Sequence, residues 1–100
     1  KSPMTTSDLF CKLAEEEEKS IYWDILFERL LQLNKWGDQH HAHDAWIRIC
    51  LEELGEVAKS VNECRPWDEV RAELIQVAAV CVAWISDVDR RHEAIGGRKP

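Results

Sequence analysis

The segment spanning residues 74–85, LIQVAAVCVAWI, limits what this chain can become more than any other stretch. Gln76 is its only polar residue. Val70, Leu74, Val77, Cys81, Trp84 and Val88 recur in a heptad-like stripe, which predicts a helix over about 66–91 with Pro66 at its first position. A helix that is apolar all round has to be covered on all sides. Three other helices of a 100-residue chain can hardly do this alone, so a homodimer that buries the segment is expected. Its longest wholly apolar run, 77–85, is far too short to span a bilayer, and no membrane partner is expected.

The rest of the chain also reads as helix, giving an all-α bundle of about four helices in one domain over 4–95. Ser7 or Thr6 is a plausible N-cap for a short first helix carrying Leu9, Phe10, Leu13 and Ala14. The glutamates at 15–18 point in four directions and read as a solvated surface. Ile21, Ile25, Leu26, Leu30 and Leu33 mark a second helix, stopped by Gly37, with Arg29, Gln32 and Lys35 on another face. Asp44 is the expected N-cap of a third helix that runs to about Asn62 on the stripe Ile47, Cys50, Leu54, Val57 and Val61. Residues 62–65 form the turn before the last helix. Lys1, Ser2 and Pro3, ahead of Met4, are set aside as an appended remnant, and 96–100 are expected to fray.

The chemistry concentrates in LEELGE, residues 51–56, and AELIQ, residues 72–76. Residues three or four apart share a helix face, so Glu53 projects with Glu56, and Glu73 with Gln76. If the two helices pack antiparallel, three carboxylates and an amide converge on one pocket. Glu53 and Glu56 lie at the border of an apolar stripe, where carboxylates are costly unless paired or metal-bound. Oxygen-only clusters suit hard cations such as Mg²⁺ or Mn²⁺.

Charge narrows the ligand. With 19 acidic against 13 basic residues and a net charge of −6, the chain lacks the basic stripe of a duplex nucleic-acid binder. A phosphate-bearing ligand then needs a metal to offset the acidic site. Cys11, Cys50, Cys64 and Cys81 show no C-x-x-C pairing, so zinc is not expected; reduced thiols and a cytoplasmic setting are. His40, His41 and His43 could be a metal cluster, or an exposed loop that caps helices or covers the site mouth. Trp36 could stack on a base or plug a helix end, and Lys35 or Arg29 could reach phosphates. Arg90 and Arg91 could do the same or simply complement the helix dipole. Trp23, Trp46, Trp67 and Trp84 read as core or interface residues. A di-iron bundle would need Glu-x-x-His pairs, which neither site helix offers.

Glu53-x-x-Glu56, followed after 16 residues by Glu73-x-x-Gln76, resembles the E-x-x-E … E-x-x-D hallmark of the MazG-like all-α nucleoside triphosphate pyrophosphohydrolases. ERLLQLNKWGDQHH, residues 28–41, is similar to the lead-in of a phage- and actinobacteria-associated branch of that family. The likeness covers roughly 21–91. It implies a helical bundle, usually dimeric and with tetramers left open, that binds Mg²⁺ and cleaves a (d)NTP to the monophosphate and pyrophosphate. Carried onto this chain, it makes Glu53, Glu56 and Glu73 metal ligands, with Glu52 an additional ligand or the group that orients water. Gln76 departs from the motif by standing where the family has aspartate. Its amide oxygen can still ligate Mg²⁺, but one negative charge is lost. Two readings stand beside this one: a non-catalytic relative that binds nucleotide or a protein partner, and a plain helical dimer whose glutamates are surface charge.

Overall fold

A reciprocal pair of hydrogen bonds opens the first helix. Thr5 Oγ1 accepts from the Asp8 amide at 3.1 Å, and Asp8 Oδ2 accepts from the Thr5 amide at 3.2 Å. This capping box satisfies two amide donors that the helix leaves without intrahelical acceptors. It sets the cap at Thr5, ahead of the Thr6 or Ser7 that propensity suggests, because Asp8 stands three residues on and can reach back. The computed structural model describes residues 3–94, and both Lys1-Ser2 and the expected frayed tail at 96–100 lie outside them.

Four helices follow in order: α1 (Thr6–Leu13), α2 (Glu16–Trp36), α3 (His43–Asn62) and α4 (Trp67–Ala94). The described residues are thus all helix and connection, as the periodicities require. The glutamate run supplies the N-cap and first turn of α2, where negative charge complements the helix dipole. Gly37 ends α2 at φ +69°, with its amide donating to the Leu33 carbonyl. The α3 N-cap is Ala42, without a side-chain cap, and not Asp44. Asp44 falls in the first turn instead, because the chain is already helical at His43. Cys64, at φ +54°, turns the chain toward Pro66, which precedes α4 by one residue.

The apolar helix α4 is the centre of the fold, with α3 packed on one side and α2 on another. Pairings at successive levels place α3 antiparallel to α4: Trp46 meets Asp87 near one end, and Glu53 faces Glu73 near the other. Asp24–Arg71 at 2.7 Å and Asp38–Arg90 at 3.3 Å set α2 parallel to α4. The core is small: Trp46, Val80 and Ala83, flanked by Ile49, Cys50 and Trp84. Trp46 and Trp84 therefore meet the core expectation, while Trp23 and Trp67 stand 67% and 78% exposed.

Two helices cover only part of α4. Leu74, Val82, Ile85 and Val88 remain exposed along it, as do Leu26, Phe27 and Leu30 along α2. The accessible surface is 7918 Å², whereas a folded monomer of 11.6 kDa exposes roughly 5,800 Å². No helix among the described residues is long and apolar enough to cross a membrane.

Candidate functional site

Where α2, α3 and α4 leave a gap, they enclose a cavity of about 430 Å³. Its floor is apolar: Trp46 and Ile49 from α3, Val80 and Ala83 from α4. Along α4, Gln76, Val80, Ala83 and Arg90 fall on one face at helical spacing, which is why a single helix can line the whole length. Gln76 to Arg90 spans roughly 21 Å of helix axis at 1.5 Å per residue. The parallel helix α2 matches it, from Glu28 beside the Gln76 end to Trp36 and Asp38 beside the Arg90 end.

The two ends differ in chemistry. One carries Glu28, Glu53 and Gln76. Glu53 is half-buried, and its carboxyl is raised above the ordinary value by that burial first, then by the charges of Glu73, Glu56, Glu28 and Glu52. Among the described residues, no cation pairs with Glu28, Glu53, Glu56 or Glu73. The other end carries Lys35, Trp36, Gln39 and Arg90. Trp36 is 61% exposed, so it is no buried plug. The Lys35 ammonium sits 4.8 Å from its ring centroid. Arg29, also lining the cavity, donates from Nη1 to Gln32 Oε1 at 3.3 Å.

The expected convergence of three carboxylates and an amide is not what the structure forms. Glu53 and Gln76 line the large cavity, whereas Glu56 and Glu73 line a separate cleft of about 320 Å³ with Lys59, Arg65 and Glu69. Glu52 is exposed and lines neither. Residues three apart on a helix are about 60° short of a full turn and displaced roughly 4.5 Å along the axis, so each motif pair splays across two surfaces. No group of three histidine, cysteine or carboxylate side chains among the described residues is arranged to hold a metal ion. What fits a hard cation is the donor chemistry: oxygen-only, spread over three helices, and electrostatically uncompensated.

The loop at 37–42 walls the cationic end, and Asp87 holds it there. Asp87 is wholly buried. It accepts from Trp46 Nε1 at 2.8 Å, from the His41 amide at 3.0 Å and from Arg91 Nη2 at 3.0 Å, and it bonds His40 Nδ1 at 3.2 Å. Burial pushes its carboxyl up, but the bonds from Trp46 and His41, the charge of Arg91 and the bond from His40 outweigh this. The result lies well below the usual carboxylate range. Arg91 ties the loop a second time, from Nη2 to the His41 carbonyl at 2.6 Å.

The histidines thus act as loop fasteners. His41 Nε2 bonds Gln39 Oε1 at 3.1 Å, and its ring meets Trp46 edge-on at 4.8 Å. His43 Nδ1 accepts from Trp84 Nε1 at 3.1 Å, since an indole nitrogen only donates. Sequence reasoning missed Glu28 and Asp87. Glu28 carried a local signal, standing one helical turn before Gln32 on the cavity side of α2. Asp87 carried only the Arg91 charge one turn on, because its other partners lie at 40, 41 and 46 in the chain.

Compared with protein-family models, with curated proteins and with solved structures, the chain shows no match to any.

Proposed function

We propose that the protein is a Mg²⁺-dependent nucleoside triphosphate pyrophosphohydrolase of the MazG-like kind, with Mn²⁺ as an alternative ion. One observation carries the reading: a single cavity joins uncompensated carboxylates at one end to an aromatic and cationic wall at the other. A nucleotide has the same polarity, an anionic polyphosphate at one end and a planar base at the other. Glu28, Glu53 and the amide oxygen of Gln76, which line the cavity, would hold the ion there, while Glu56 and Glu73 open onto the neighbouring cleft and add negative charge from behind. Bound there, it would neutralise phosphate charge and make the attacking water more acidic.

The chain's own groups supply the rest. Glu53, made more basic by its burial and its neighbours, takes a proton from the attacking water. The water oxygen bonds to the α-phosphorus, the bridging bond to the β-phosphate breaks, and pyrophosphate leaves with that electron pair. Arg29 meets phosphate oxygens from α2, and Trp36, with Lys35 beside its ring, offers its exposed face to the base. Burial of the exposed α2 and α4 side chains by a second copy completes the fold.

Pyrophosphate release from a panel of dNTPs and NTPs, with Mg²⁺ or Mn²⁺, tests this. Turnover that Glu53→Gln abolishes is expected; no release by the folded wild type sinks the enzymatic reading. A second reading, a relative that binds nucleotide without cleaving it, is favoured by Gln76 at the motif's aspartate position and by the splayed carboxylates. Under it, triphosphates bind the wild type and leave unchanged.

A further inference from the structure

Arg90 lies at the loop end of the cavity and is held in an unusual way. Its Nη1 donates to Asp38 Oδ1 at 3.3 Å and its Nη2 to the Gln39 carbonyl at 3.5 Å, both long bonds. Its Nε is buried with no hydrogen-bond partner. A guanidinium has five N–H donors, so one further N–H on each Nη is left uncommitted, on a side chain that is 38% exposed and lines the cavity. Buried polar groups are nearly always paired, and an orphan in a native fold calls for an explanation. One residue on, and four from the loop anchor Asp87, Arg91 makes shorter bonds at 2.6 and 3.0 Å, so Arg90 is not what fastens the loop.

From this geometry we infer that Arg90 is a base-selecting residue, presenting its free N–H donors to the oxygen of an oxo nucleobase stacked against Trp36. The inference rests on the reading of the cavity as a nucleotide site. Three observations place the base, and not the phosphates, beside Arg90. Asp38 offsets the guanidinium charge, which leaves a directional donor more than an attractor of anions. Trp36 and Gln39 share that end of the cavity. The cation-seeking carboxylates stand at the opposite end, beside Gln76. Uracil, thymine, cytosine and guanine each offer a carbonyl oxygen, whereas adenine sets an amino donor where guanine has its oxygen. The substrate class is therefore the oxo-base nucleotides, with adenine nucleotides disfavoured.

The test uses mononucleotides with Mg²⁺ present at one fixed concentration, since a monophosphate carries no pyrophosphate to release and catalysis does not contribute. Wild-type protein is titrated by NMR with dUMP, dTMP, dCMP, dGMP, dAMP and deoxyribose 5-phosphate, beside Arg90→Lys, which keeps the charge and loses the fork. Expected is preference for the oxo bases over dAMP by about tenfold, erased in Arg90→Lys, with deoxyribose 5-phosphate unaffected. Should the variant fold poorly, the Arg90 Nε–H resonance of the unmodified protein serves: it should shift with dUMP or dGMP and stay put with deoxyribose 5-phosphate. Equal binding of dAMP and the oxo bases, or equal loss of deoxyribose 5-phosphate in the variant, overturns the inference while leaving the nucleotide site standing. A wild type that binds no mononucleotide overturns the inference, and one that also cleaves no triphosphate overturns the nucleotide site with it.

Discussion

Two carboxylates of opposite character govern this molecule at the scale of single residues. Asp87 is buried and supplied with donors, and Glu53 is half-buried among like charges. Removing Asp87 leaves the Trp46 indole N–H and the His41 amide without an acceptor. Asp87→Ala should cost about 2–3 kcal/mol in urea denaturation. Its native pKa is depressed, so its stabilisation is complete above the unfolded value of about 3.9 and is lost as pH falls from there toward the native value. Asp87→Asn should flatten that acid limb of the stability profile. Glu53 has the opposite sign. Its native pKa is raised, so its favourable contribution is present below about pH 4.3 and is lost as pH rises through the native value. Glu53→Gln should therefore stabilise the fold at pH 7 by a few tenths of a kcal/mol, a surface-scale repulsion, while removing the proposed metal-dependent turnover. Thermal melts and the pyrophosphate assay on the same preparation check both halves.

Among the elements, the join between α2 and α3 is the one on which the site depends, because residues 37–39 wall the cavity. Gly37 holds φ +69° and ψ −170°, a region almost closed to residues with a Cβ. A Cβ there would meet no atom within 4 Å, so any penalty is one of backbone conformation alone. Gly37→Ala should cost roughly 1–3 kcal/mol and displace Trp36 and Asp38, weakening the proposed nucleotide binding more than a surface change of equal stability would. Comparing its denaturation midpoint with its mononucleotide affinity separates the two effects. Helical periodicity in the sequence alone carries no warning of this dependence. Gly37 was legible there as a stop, but its role as a cavity wall depends on where α4 passes.

Surface area dominates at the scale of the whole molecule. The chain exposes about 2,100 Å² more than the roughly 5,800 Å² expected of a folded monomer of its mass. A stable interface removes about 800 Å² from each partner, so the excess is more than sufficient for one. Its Cα radius of gyration is 16.7 Å, against about 13 Å for a compact 100-residue domain. Sedimentation equilibrium should give about twice 11.6 kDa. Ile85, 61% exposed on α4, lies on the uncovered surface, and Ile85→Glu should shift the equilibrium toward monomer and lower the melting temperature in a concentration-dependent way. A wild-type monomer of undiminished stability would show that the exposed stripe is tolerated in water.

The sequence by itself determined the elements: four helices, the stop at Gly37, the turn before Pro66 and the exceptional apolarity of α4. Those follow from local rules, because helical spacing, caps and backbone preference act over a few residues. The pairing of Glu53 with the charge of Glu73 across α3 and α4 was also legible, since a short turn makes neighbouring helices antiparallel. Only the tertiary structure decided that Glu56 and Glu73 open onto a different cleft from Glu53 and Gln76, because sharing a helix face to within 60° does not ensure a common pocket. It alone brought Asp87 under the histidine loop and Arg90 to Asp38. These contacts join residues 41 to 52 positions apart, and which side chains meet at that separation depends on how three helices stack and not on any pattern within one of them.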